Sequence, residues 1–198
     1  FTLMFTVVAL SIERYFALRT AFGKGSLTKF VQAVKAAVKA NDFAKARALC
    51  DKQQGSVANV VLASVNTYSE MENTTGVKKS QKVAKIQQAH EEATQLEMPT
   101  LQMNLPIIAT IVTLGTLTAL FGTVLGMIGS FQALAAGGGG DSLALSMGIS
   151  EALVNTASGI ATSWVAVVAY NTYTNKIDKL TYALDEVGYT IAQTYEAN

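Results

Sequence analysis

Charged residues are scarce in the second half of this 198-residue chain, and cysteine and proline are scarce throughout. Only 15% of the residues are charged, against about 25% in typical soluble domains. The stretch from Met98 to Gly140 contains no Asp, Glu, Lys or Arg. The single cysteine, Cys50, excludes an internal disulfide and a cysteine-rich metal site. The net charge of +1 indicates no nucleic-acid partner.

Groups that carry covalent chemistry are also missing. The sequence shows no Ser-His-Asp set, phosphate-binding loop or metal-ligand spacing, and the glycines of 137–140 lack the Lys-Ser/Thr that a nucleotide loop needs. His90 lies among Gln88, Glu91 and Glu92, so we expect a solvated surface histidine. The sequence therefore predicts no enzyme, no metal and no cofactor.

Long apolar runs are present instead. From Leu105 to about Ala135 the residues are mostly apolar, Thr or Gly, a helix of about 46 Å against a hydrocarbon core of about 30 Å. A second run begins near Leu143. The run from Phe1 to Ile12 is too short to span, and its basic residues follow it rather than precede it as in a signal peptide. We expect the second half of a membrane helix whose start lies outside this sequence; a buried amphipathic helix is the alternative.

These runs predict an all-α membrane protein with three transmembrane helices, the first truncated, and long helical cytoplasmic extensions. Basic residues cluster after the first run and after the third, and none lies between the second and third, so the positive-inside rule places the N-terminus outside and the C-terminus in the cytoplasm. A reducing compartment suits the lone Cys50. The predicted segments are half of transmembrane helix 1 (1–13), a cytoplasmic helical region (14–98), transmembrane helix 2 (99–135), an external turn (136–142), transmembrane helix 3 (143–173) and a cytoplasmic amphipathic tail helix (174–198).

The cytoplasmic segments show apolar residues at helical spacing. We expect Asn41 to cap the helix that follows it, and Leu96 to share an apolar side with its neighbours on the helix before the second run. The predicted apolar stripes are Leu27, Phe30, Val31, Val34 and Val38; Val57, Val60, Val61, Val65 and Tyr68; Val83, Ile86, Ala93 and Leu96; and, on the tail helix, Ile177, Leu180, Leu184, Val187 and Ile191.

Small residues form a ladder on both long apolar helices. Small side chains at spacings of three and four let helix backbones approach closely inside a membrane, where the hydrophobic effect gives no drive for association. We therefore interpret them as packing residues. On helix 2 they are Gly115, Ala119, Gly122, Gly126 and Gly129, and on helix 3 they are Gly148, Ala152, Gly159 and Ala166.

Glu151 is the only charged residue between Asp141 and Lys176. An ionisable group within a membrane helix costs about 2.5–3.5 kcal/mol on insertion scales, so its presence points to proton or ion chemistry. The alternative is a position in the first turns, where the helix dipole favours an anion. Hydroxyls and an amide accompany it, although each hydroxyl could instead satisfy itself on a carbonyl of its own helix. The polar residues are Thr116, Thr123 and Ser130 on helix 2, and Asn155, Thr156, Ser158, Thr162 and Ser163 on helix 3. The predicted polar strip, the candidate ion pathway, comprises Thr116, Thr123, Asn155, Thr156, Ser158 and Thr162.

Three stretches resemble the ExbB/TolQ/MotA proton-channel family, closest to its ExbB and TolQ branch. Residues 120–131, LFGTVLGMIGSF, are similar to the family's second helix. Residues 148–159, GISEALVNTASG, with Tyr170-Asn171, are similar to its third helix, and parts of 41–58 match its cytoplasmic region. The resemblance covers most of the chain in the right order.

This resemblance implies a homopentamer whose second and third helices line a central pore. It implies ExbD- or TolR-like single-span partners in that pore, a TonB- or TolA-like transducer, protons as the coupling ion and a bacterial inner membrane location in contact with lipid. The family's lumenal glutamate falls on Glu151, and its pore threonines fall on Thr123 and Thr156. Thr116 and Val165 stand where the family usually has proline, which leaves the pore geometry and the coupling ion open.

The expected function is therefore a proton-channel subunit that energises outer-membrane transport. A TolQ-like role in envelope maintenance, a sodium-driven motor and a passive helical scaffold remain as alternatives.

Overall fold

The computed structural model describes residues 2–136 and 142–197, and within these ranges the chain is helical, without a strand. The predicted external turn falls largely on residues 137–141, which lie outside the described residues. The described residues form seven helices: α1 (Thr2–Phe22), α2 (Leu27–Lys39), α3 (Phe43–Gln53), α4 (Gly55–Asn73), α5 (Lys79–Gln102), α6 (Leu105–Ala136) and α7 (Ser142–Ala197). They divide into two compact units.

The first unit comprises Phe1–Arg14 and Asn104–Tyr173. Its core joins α1, α6 and α7 through Val7, Ile108, Ile111 and Ala166. Polar contacts reinforce this packing, because the Tyr173 hydroxyl donates to the Ser11 carbonyl at 2.6 Å and the Asn104 amide donates to Glu13 at 3.1 Å. Residues of α1 thus belong to the same helical bundle as the two long apolar helices.

Two stretches, Lys79–Ala136 and Ser142–Ala197, each contain an 18-residue segment that is apolar enough to cross a membrane. Helix α1 has 21 residues, runs beyond the predicted boundary at residue 13, and is not among these stretches. Its role as a further membrane helix stays a prediction.

The outer faces of α6 and of the first part of α7 are apolar and exposed in this single chain. Phe121, Leu153 and Trp164 are each more than 60% exposed. Isolated apolar side chains on a surface are ordinary, but a continuous exposed apolar face indicates contact with lipid or with another chain. This pattern is that of an all-α membrane protein.

The second unit comprises Tyr15–Met103 and Thr174–Asn198. Its core contains the predicted stripes of α2, of α4 and of the tail portion of α7. Every predicted position of these three stripes is buried except Leu27, which is half-buried. Tyr68 lies at the centre of an aromatic cluster, with ring centroids 4.4 Å from Phe43 and 4.7 Å from Tyr195. Amphipathic periodicity predicted this core correctly.

Three details of this unit differ from the sequence prediction. The cap of α3 is Asp42, whose carboxylate accepts from the Lys45 N–H at 3.0 Å, whereas Asn41 has a φ of 55° and follows the end of α2. Leu96 is 79% exposed, although Ile86 on the same helix is buried. The tail is not a separate helix, because α7 continues without a break from Ser142 to Ala197.

His90 is not a solvated surface residue, and that expectation was wrong. Its side chain is buried, with the imidazole Nδ1 2.8 Å from the Ser64 hydroxyl on α4. The ring lies against Gly188 of α7, where a Cβ would approach it to 2.5 Å. A histidine that looks polar from its neighbours in sequence is therefore enclosed by small residues on two other helices.

We expect the stability of the second unit to fall as the pH drops below about 6.5, the ordinary pKa of histidine. Burial lowers the pKa of His90, while the nearby carboxylates of Asp185 and Glu91 act in the opposite direction. The unfolded chain then binds the proton more readily than the folded chain, so stability is full above pH 6.5 and is lost as the pH falls towards the lower folded pKa. Each unit of pKa depression corresponds to about 1.4 kcal/mol.

The measurement is thermal unfolding of the full chain across this pH range. Because His90→Gln keeps a polar partner for Ser64 but cannot titrate, its midpoint should change less with pH than that of the unsubstituted chain. Parallel curves for the two proteins would contradict the argument.

Cys50 is buried on α3. Burial raises the pKa of its thiol to about 12, with a smaller contribution from Asp51. Because the thiolate is the reactive form, this cysteine is a packing residue at neutral pH.

Candidate functional site

The centre of the first unit is the close pairing of α6 with the first part of α7. A Cβ on Gly159 would lie 2.1 Å from the Ala119 Cβ and 2.6 Å from the Gly115 carbonyl oxygen. A Cβ on Gly115 would lie 2.6 Å from the Ser163 hydroxyl. The two backbones therefore approach as closely as glycine permits at this level.

The same pairing continues towards the start of α7. A Cβ on Gly126 would lie 3.1 Å from the Ala152 Cβ, and a Cβ on Gly148 would lie 1.9 Å from the Ser130 hydroxyl. Gly122 has only ordinary contact with Asn155, 3.7 Å away, and no described residue would lie within 4 Å of a Cβ on Gly129. The ladder thus divides into positions that require glycine and positions that do not.

Two threonine hydroxyls meet within this interface. Thr123 and Thr156 are hydrogen-bonded to each other, and both are half-buried. The Thr123 oxygen lies 3.0 Å from the Ala119 carbonyl oxygen and 3.2 Å from that of Ala152. The structure therefore brings together the two threonines that the family resemblance singled out, although they are 33 residues apart.

A second hydroxyl contact joins Thr116 to Ser163, at 2.9 Å. Ser163 was named among the polar residues of helix 3 but not among the residues of the predicted polar strip. Its adjacency to Thr162 was visible in the sequence, but its contact depends on the register between the helices, which periodicity alone does not give. Thr116 thus donates or accepts across the helix pair.

Other hydroxyls of the polar strip bond to their own helix. Ser158 donates to the Asn155 carbonyl at 2.8 Å, and Thr162, which is buried, donates to the Ser158 carbonyl at 2.9 Å. These are the local bonds by which hydroxyls commonly satisfy themselves on a helix. In the single chain, the hydroxyl protons of Ser158 and Thr162 are therefore donated to their own helix and not towards an ion pathway.

Glu151 is exposed on α7 and has no hydrogen-bond or ion-pair partner among the described residues. Asn155, one turn further, is also exposed. Residues at offsets of four, seven and eleven lie on one side of a helix, so Glu151 shares a stripe with Asn155, Ser158 and Thr162. Thr156 follows Glu151 by five residues, which places it about 140° around the axis.

The structure does not, therefore, bring Glu151 into contact with the threonine pair. The carboxylate stripe and the threonine pair lie on different sides of α7. An exposed carboxylate on an apolar helix has its partners outside the described chain, in water or in another polypeptide.

The fold and this site define a class: an all-helical membrane protein with a small-residue helix pair that carries hydroxyls and one carboxylate. A model of the MotA/TolQ/ExbB proton channel family matches residues 54–186, and the chain belongs to this family.

Individual relatives agree with this assignment. The chain is 29% identical over 143 residues to the Tol-Pal system protein TolQ of Pseudomonas aeruginosa, a match that covers 71% of this chain and 59% of the relative. It is 34% identical over 87 residues to an ExbB-like biopolymer transport protein of Synechocystis sp., covering 43% and 41%. It is 32% identical over 84 residues to TolQ of Haemophilus influenzae, covering 42% and 37%. The chain thus matches three fifths or less of the length of these curated relatives.

Proposed function

We propose that this chain is the proton-channel subunit of an inner-membrane energy-transducing complex of the ExbB–ExbD–TonB type. The observation that carries the proposal is Glu151, an exposed carboxylate without a partner among the described residues, on an apolar helix locked to α6 by glycine contacts. A fixed helix pair holds such a group at a defined place, which proton transfer requires.

We propose that several copies enclose the pore, five by resemblance to the family. The apolar faces of α6 and α7 that carry Phe121 and Trp164 are uncovered in the single chain and support contact with lipid and neighbouring subunits. The contact of α1 with both helices through Val7 supports a bundle of three membrane helices in each subunit.

Single-span partners of the ExbD or TolR kind would occupy the pore. A titratable acid on such a partner could exchange protons near Glu151, and Thr123 and Thr156 would contribute hydroxyl oxygens to the pathway. The charge pattern supports an outer N-terminus and a cytoplasmic C-terminus. No cofactor and no covalent catalysis enter this proposal.

A TolQ-like role in envelope maintenance is the second candidate. It is favoured by the match to TolQ of Pseudomonas aeruginosa, which extends over more of this chain than the ExbB-like match. Both roles use the same ion pathway and differ in the transducer that the complex engages.

Proton flux tests the proposal directly. Liposomes that contain this chain and its single-span partner should acidify under an imposed gradient, whereas liposomes with this chain alone should remain near background. A sodium-driven motor would instead follow the sodium gradient and survive a protonophore. If the assembled complex conducted neither protons nor sodium ions, the proposal would be overturned and the chain would be interpreted as a passive helical scaffold.

A further inference from the structure

The second unit contains a cleft of about 1000 Å³ that the proposed proton pathway does not use. It lies where α1 ends, beside the junction of α3 and α4 and the tail portion of α7. Among the described residues, four basic side chains line it and no carboxylate does. They are Arg19, Lys24, Lys176 and Lys179.

These cations come from two separate basic segments of the sequence, each of which follows a different apolar run. Arg19 and Lys24 follow the first apolar run, and Lys176 and Lys179 follow the third. The fold brings both groups to one cleft. Arg19, Lys24 and Lys179 make no salt bridge within the described residues, so their charges are not neutralised there.

Apolar and aromatic side chains complete the lining. Phe16 is 60% exposed, Tyr15 is partly exposed, and the Lys176 ammonium lies 5.7 Å from the centroid of the Tyr15 ring. Phe22 and Leu18 also contribute to the wall. The cleft therefore offers cations for an anionic group beside apolar surface for a hydrocarbon chain.

The backbone around the cleft is tightly joined. A Cβ on Gly23 would lie 2.1 Å from the Gln54 carbonyl oxygen, and one on Gly55 would lie 2.6 Å from those of Thr20 and Ala21. Both glycines have positive φ, and the Gln53 amide donates to the Phe22 carbonyl at 2.7 Å. The end of α1 is thus fixed against the start of α4, which holds the cleft open as a built feature.

We propose that this cleft binds one anionic phospholipid of the membrane surface, with its phosphate among the four cations and an acyl chain along Phe16 and Phe22. Charge complementarity favours a phosphate, and the adjoining apolar wall favours a lipid over free phosphate. Basic pockets beside membrane helices on the cytoplasmic side bind such headgroups. The proposal rests on the membrane orientation given under the proposed function.

Native mass spectrometry of the purified full chain tests this lipid-binding proposal. Phosphatidylglycerol, phosphatidylcholine or inorganic phosphate is added, and the bound fraction is measured for each. The variant R19Q/K24Q/K179Q removes three cations of the cleft. Its matched control, K39Q/K45Q/K85Q, removes three exposed lysines elsewhere in the same unit. Each cation near an anionic lipid contributes roughly fivefold in affinity, so the cleft variant should bind phosphatidylglycerol about 100-fold more weakly.

The control should retain the affinity of the unsubstituted chain. Equal losses in both variants would show a general charge effect and overturn the proposal. Equal binding of phosphatidylcholine, or displacement of the lipid by inorganic phosphate, would overturn it too.

A second measurement identifies the occupant in the assembled complex in membranes. With benzoylphenylalanine in place of Phe16, irradiation should yield a lipid adduct. An adduct with a neighbouring polypeptide would show that protein fills the cleft and would contradict the proposal. Neither readout depends on proton flux, so failure here is distinguishable from failure of the proposed function.

Discussion

Glu151→Ala is expected to leave the helices folded and to reduce partner-dependent proton flux to that of protein-free liposomes. The carboxylate has no partner among the described residues, so its removal breaks no contact of the chain with itself. It is also the only charged group between Asp141 and Lys176, and no neighbour on that segment can replace it. The measurements are flux in liposomes and thermal unfolding of the same protein.

Two further variants sharpen this result. Glu151→Gln keeps the shape and the capacity to hydrogen-bond but loses the titratable proton, and it should fail as alanine does. Ser150→Ala changes the neighbouring exposed residue and should retain flux. In cells, normal siderophore or cobalamin uptake with Glu151→Ala would contradict the role given to this carboxylate in an ExbB-like complex.

Gly159→Ala is expected to destabilise the helix pair by about 1–3 kcal/mol, the usual cost of an overpacked core. The added methyl group would lie 2.1 Å from the Ala119 Cβ and 2.6 Å from the Gly115 carbonyl oxygen, which cannot move aside without separating the backbones. The thermal midpoint of the full chain in detergent should fall, and the assembled complex should be recovered in lower yield.

Gly129→Ala is the matched control, since a Cβ there meets no atom of the described residues within 4 Å. Both substitutions add one methyl group to a glycine of the same predicted ladder. If they lowered the midpoint equally, close contact between α6 and α7 would not be the cause. The comparison therefore tests the helix register and not only helix propensity.

Much of the second unit could be predicted because each of its helices has one face towards water and another towards the core. Val34, Leu180 and Leu184 are completely buried, as periodicity indicated. The position of His90 could not be predicted in this way, because its burial depends on Ser64 and Gly188, which lie on two other helices. The residues near His90 in the sequence do not indicate which residues of other helices will contact it.

The first unit was harder to predict for a different reason. In an apolar helix every face is hydrophobic, so periodicity does not show which face packs. Small residues indicated the interface, but Gly129 follows the spacing without a contact and Gly159 follows it with a very close one. The register between α6 and α7 determines which glycines are in close contact, and it also determines which hydroxyls form hydrogen bonds across the helix pair.

The hydrogen bond between Thr123 and Thr156 affects which protonation state of an acid can bind beside the two side chains. The two hydroxyls possess two protons. One proton lies between the two threonine oxygens, and the other is donated to the Ala119 or the Ala152 carbonyl. The oxygens therefore turn lone pairs, and no spare donor, towards anything beyond the helix pair. A protonated carboxylic acid or hydronium can donate to such a surface, whereas an ionised carboxylate meets only acceptors. In the proposed pathway, the two threonines would therefore favour the protonated form of an acid over its ionised form.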